Sequence, residues 1–171
     1  MRPYTPPPEF PLQFTIRLPE GFVAAVGPEG PAQAIHVTQP TTDSKGDRAF
    51  LHFVVAAPDQ HEGGARETVR AIAESYGVPG NRTEVQPIEQ HTWALVEFGF
   101  TSRGTIREPV TGWVALGCQA GRWFHIIVQS PVGAPGESFR AGAEQVLAEW
   151  RWPDGRSLDE AGEASLQGCR R

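Results

Sequence analysis

Residues 110–130 read VTGWVALGCQAGRWFHIIVQS, two apolar runs of strand length joined by Gln119-Ala120-Gly121. A link that short between two such runs predicts an antiparallel hairpin. In the second run Phe124, Ile126 and Val128 fall on one side, with Trp123, His125 and Ile127 on the other. A strand alternates its side chains between two faces, so apolar residues on both sides mean a sheet covered on both sides. The expected cover is the helices on one face, and a loop, the tail or a partner on the other.

Working outward, residues 92–101 repeat the pattern, with Ala94, Val96, Phe98 and Phe100 against Trp93, Leu95, Glu97 and Gly99. Residues 83–88 make a weaker strand. Ahead of them Ala65, Val69, Ile72 and Tyr76 recur at helical spacing, and glycines at 77 and 80 stop that helix. Four strands are predicted before it: residues 12–18, 22–26, 34–38 and 49–57, the last interrupted only by His52. Gly27-Pro28 is expected to break the second. After Pro131 and Pro135, a second helix carries Phe139, Ala143, Val146, Leu147 and Trp150 on one stripe. Strands, a helix, strands and a helix predict an α+β domain with an antiparallel sheet and helices packed on it. Residues 1–11, rich in proline, read as an extended arm, residues 12–152 as the single domain, and residues 153–171 as a polar C-terminal tail.

The chain has 171 residues, 39% hydrophobic and 20% charged, a globular composition that needs no metal or disulfide to build a core. Its 15 basic and 20 acidic residues leave a formal charge of -5, which argues against nucleic acid or an anionic membrane as partner. No apolar run approaches the ~18 residues of a membrane helix. The proline-rich start lacks the apolar core of a secretory signal, so a cytoplasmic location is expected. Cys118 reads as a buried thiol and Cys169 as an exposed tail thiol. Arginine in place of lysine throughout, with Lys45 the lone exception, suggests a GC-rich bacterial genome.

Catalytic motifs are missing. No serine sits in a Gly-x-Ser-x-Gly turn, and Gly63-Gly64 lacks the rest of a phosphate loop. His61 lies in a glycine-rich loop. His52 and His125 have no second ligand at i+2 or i+4 and read as hydrogen-bonded or surface histidines, so no metal and no cofactor are predicted. The informative feature is aromatic: Trp93, Trp113 and Trp123 occupy three consecutive strands, with Trp150 and Trp152 after the last helix. Core packing explains them. The competing reading puts Trp93 and Trp123, with Glu97 and His125, along a pocket or partner surface, and Arg103 and Arg107 at its rim.

The opening Phe14-Thr15-Ile16-Arg17-Leu18-Pro19-Glu20-Gly21-Phe22, the strand Trp123-Phe124-His125-Ile126-Ile127-Val128, and the closing helix with Phe139 and Trp150 resemble the Mog1/PsbP-like group over residues 12–152. Phe22 stands where that group usually has tryptophan. The resemblance implies an α/β/α sandwich around an antiparallel sheet and a binding role; members of the group bind a Ran GTPase, photosystem subunits or secreted effectors, none of which transfers to this chain. The expectation is therefore a non-enzymatic binding or adaptor protein acting through an aromatic-rich surface, whose unknown protein partner is either another chain or a second copy in a homodimer. The alternative is a small-molecule binder or small enzyme with Glu97 and His125 as an acid/base pair in one pocket.

Overall fold

The computed structural model describes residues 1–40, 49–56, 64–76, 82–103, 108–160 and 169. Among these residues the elements follow in the order β1 (Arg2–Tyr4), β2 (Ile16–Leu18), β3 (Val23–Glu29), β4 (Ala32–Thr38), β5 (Phe50–Val55), α1 (Gly64–Ser75), β6 (Arg82–Pro87), β7 (Val96–Arg103), β8 (Val110–Gln119), β9 (Arg122–Pro131) and α2 (Ala134–Ala148). Strands β3 to β9 form one seven-stranded sheet in the order β3-β4-β5-β9-β8-β7-β6, antiparallel throughout. The α+β class and the antiparallel sheet are as the sequence predicts.

The β8–β9 hairpin sits at the middle of the sheet. Gln119 pairs with Arg122, which leaves Ala120 and Gly121 as a two-residue turn with φ of 52° and 71°. Positive φ at both positions gives the turn the twist its strands need.

The helices do not share a face. α2 packs on β9 and β2, whereas α1 packs on β6, β7 and β8 on the other side. Each apolar face of a seven-stranded sheet must be withdrawn from water, and each helix supplies one stripe to do it. On the α2 face, Phe14, Phe53, Phe124, Phe139, Val146 and Trp150 are buried; Trp150 stacks on Phe14 with centroids 4.1 Å apart. On the α1 face, Val54, Val69, Ala73, Phe98, Phe100, Leu116 and Ile127 form a second core.

Several expectations are corrected. The proline-rich segment, expected as an extended arm ahead of the domain, is packed onto it: Arg2–Tyr4 pairs with Ile16–Leu18, and Phe10 is buried among the α2-face aromatics. Leu12 and Phe14 are buried as their alternation predicts, but their segment joins this small sheet instead of the large one. Gly27-Pro28 lies inside β3, which tolerates proline because β3 is an edge strand. In the tail, for which a loosely docked helix and disorder were both open, Leu158 is buried and Asp159 accepts a 2.7 Å hydrogen bond from the Thr92 hydroxyl. Cys118 and Cys169 are not thiols; they form a disulfide that ties the tail to the end of β8.

Candidate functional site

Register separates the four residues that the sequence grouped. Glu97 pairs with Ala115 and shares the α2 face with Trp93 and Trp113, whereas His125 pairs with Val54 and Leu116 on the α1 face beside Trp123. A seven-stranded sheet stands between Glu97 and His125, so they form no acid/base pair. The aromatic surface is not there either: Trp93, Trp113, Trp150 and Trp152 are buried, and Trp123 is half-buried against the α1-face core. Arg103 is exposed at the end of β7, and Arg107 lies outside the described residues.

Glu97 serves the fold. Its Oε2 accepts the backbone N–H groups of Gln90 and His91 at 2.8 and 3.0 Å, and its Oε1 contacts His91 Nδ1. The far side of the His91 ring, Nε2, lies 3.6 Å from Glu144 on α2. Burial disfavours charge on His91, but pairing with Glu144 and Glu97 outweighs it and holds the imidazole at about 9. His91 is thus an imidazolium at neutral pH, with its ring 4.4 Å from that of Trp113. This cluster pins residues 88–95 to the sheet and to α2. Two openings of about 760 Å³ flank it, one along residues 87–97 and one holding Arg103 and Arg140, but the buried carboxylate between them has its donors already.

The α1 face differs. α1 lies chiefly over β6 to β8, and beside it on the same face β3, β4 and β5 carry Glu29, His36 and His52. A cleft of about 510 Å³ opens there, lined by Val54, Val69, Ile72 and Leu116, with Glu29, Tyr76 and His125 among its polar groups beside Thr68 and Ser75. The Tyr76 hydroxyl donates a 3.0 Å hydrogen bond to Glu29 Oε1. Burial and then the charge of Glu29 hold the phenol's pKa well above its ordinary value, so it keeps its proton. Burial pushes His125 down to about 4, against the opposing pull of Glu29. His125 therefore faces the cleft as a neutral imidazole.

Next to the cleft, His36 and His52 pair directly across β4 and β5. Burial, reinforced by His36 and His125 nearby, pushes His52 down to about 3. Glu29 Oε2 stands 3.3 Å from His52 Nδ1, and among the described residues Glu29, His36 and His52 are a set whose ligand atoms suit a metal ion. Glu29 and His36 were not singled out in the sequence, and Tyr76 was read only as part of a helix stripe. The available signal was that His36 and His52 each sit between apolar neighbours in a strand, but only register brings them together. The chain matches no known protein-family model and no curated protein.

Proposed function

We propose that the protein is a non-enzymatic binding protein of the Mog1/PsbP-like type that holds a small molecule in the cleft beside α1. The carrying observation is the convergence of Glu29, Tyr76 and His125 over the apolar lining of Val54, Val69, Ile72 and Leu116. A concave, mostly apolar space of a few hundred Å³ with a few convergent polar groups is the usual form of a small-molecule site. The ligand has an apolar body, an N–H or O–H group directed at the Glu29 carboxylate and a second polar group at His125. One helix on each face of an antiparallel sheet supports the sandwich part of this reading. The Cys118–Cys169 disulfide favours an oxidising compartment over the cytoplasm expected from the sequence. A fragment screen read by NMR tests the proposal: amine- or hydroxyl-bearing apolar fragments shift the ring signals of His125, and hits confined to the His91 ring would refute it.

A second reading rests on β3. Among the described residues this edge strand pairs with β4 alone, and its Val23 and Val26 are 38% and 41% exposed. An open edge with exposed valines accepts another strand. A second copy of the chain is the simplest partner, and sedimentation velocity distinguishes the resulting homodimer from a monomer.

A further inference from the structure

Glu29, His36 and His52 come from three neighbouring strands, and the ligand atoms they offer all lie within 4.8 Å of one another. Their approach is a matter of register: Glu29 pairs with Ala32, Ala25 with His36, and His36 with His52, which sets all three side chains on the α1 face. His36 Nε2 and His52 Nδ1 are both buried with no hydrogen-bond partner. A buried, unsatisfied polar atom costs about 1–3 kcal/mol, and such atoms are few in a native fold. Here two stand beside a carboxylate. Gly27 deepens the recess, since a Cβ at that position would lie 3.0 Å from His36 Nε2. Glu29 is oriented from behind by the Tyr76 hydroxyl, the kind of outer contact that steadies a ligating carboxylate.

We propose that Glu29, His36 and His52 bind a first-row divalent transition-metal ion, zinc in the first instance. Two imidazoles and a carboxylate are the donors that zinc accepts, whereas magnesium and calcium select oxygen. Metal–ligand distances near ~2.0–2.2 Å place tetrahedral ligands about 3.4 Å apart. The His52–Glu29 separation of 3.3 Å already meets this, and the remaining closure is within reach of side-chain rotation. Three protein ligands leave at least one position for water or for an exogenous donor. Glu29 also borders the cleft, so that position lies next to the proposed small-molecule site. The metal reading stands independently of that ligand. No sequence motif announces it because the ligands are set by strand pairing and not by short spacing.

The test uses the full chain, metal-free, with Co²⁺ and Zn²⁺ as probes. One equivalent of Co²⁺ produces visible d–d bands that Zn²⁺ abolishes, and Zn²⁺ raises the Tm. His52→Ala and Glu29→Gln each weaken Zn²⁺ binding by at least about tenfold, with circular dichroism as the check on folding. Gly27→Ala keeps every ligand and an ordinary backbone, yet it crowds His36 Nε2 and weakens Zn²⁺ as well. The absence of both the cobalt bands and the zinc Tm shift in the unmodified chain would overturn the proposal. Equal Zn²⁺ affinity in folded His52→Ala and Glu29→Gln would do the same, because it would locate the ion elsewhere.

Discussion

The rings of His36 and His52 lie against each other across β4 and β5 with centroids 4.1 Å apart and planes tilted by 55°, and Phe50 stacks on His52 at the same distance. Two imidazoles in van der Waals contact, each with a buried nitrogen left without a hydrogen bond, are an arrangement that packing alone does not favour. The α2 face has its own unpartnered indole N–H groups on Trp150 and Trp152, which lie within the aromatic core. The two faces thus divide the work. Aromatic packing on the α2 face holds the domain together, and polar convergence on the α1 face supplies the candidate chemistry.

His91 gives the domain a pH dependence on its alkaline side. Its folded pKa of about 9 lies above the ~6.5 of an unfolded histidine. A group shifted upward contributes stability that is complete below the unfolded value and is lost as pH rises through the folded one. The urea midpoint therefore falls between about pH 6.5 and pH 9, and Glu97→Gln flattens that fall. An NMR titration showing the His91 ring at an ordinary ~6.5 would contradict the argument.

Trp150 is fully buried, stacked on Phe14 and 4.9 Å from Phe53. Trp150→Ala is expected to lower unfolding free energy by about 3–5 kcal/mol in urea denaturation, the range for a large aromatic removed from a core. Trp123→Ala, at a half-buried position, costs less. Equal losses at the two positions would mean that Trp123 is as deeply packed as Trp150.

The Cys118–Cys169 disulfide closes a loop of 51 residues in sequence separation. Cross-links of that span stabilise by about 2–4 kcal/mol, chiefly through the unfolded chain. Cys169→Ser should reduce stability by that amount, and reduction of the unmodified chain should match it. Two free thiols titrated in the denatured, unreduced protein would show that the bond does not form.

Ala120 adopts a φ of 52° in the turn between β8 and β9. A residue with a Cβ is strained there by about 1–2 kcal/mol, and asparagine bears the conformation better. Ala120→Asn is expected to raise the Tm through a gain of up to about 1 kcal/mol, and a lowered Tm would show that this turn is not of the two-residue form.

The hairpin was legible because two apolar runs joined by as short a link as Gln119-Ala120-Gly121 leave one way to pair. Both helices were legible from their stripes, since Val69 and Ile72, or Phe139 and Val146, meet the core whatever lies beyond it. Which face each helix covers was not, because local period does not say where a crossover lands. The proline-rich start misled for a related reason: prolines withhold ladder donors, yet Phe10 still reaches the core. The candidate site was the least legible part. Trp93, just ahead of β7, and Glu97 within it lie on one face, and Trp123 and His125 of β9 on the other, but telling the two faces apart needed the order of strands across the sheet. Glu29 and His36 belong to one hairpin and His52 to the next strand, and no local spacing marks them as a set before β3, β4 and β5 are paired.

The central claim is that the cleft beside α1 is the binding site and the α2 face is structural. Its most direct test is to incubate the chain with cell lysate and identify captured small molecules by native mass spectrometry, alongside Ile72→Trp, which fills the cleft, and Trp93→Ala, on the opposite face. The account predicts one bound small molecule on the unmodified chain, retained by folded Trp93→Ala and lost from folded Ile72→Trp. Retention by Ile72→Trp with loss from Trp93→Ala would contradict it and move the site to the other side of the sheet.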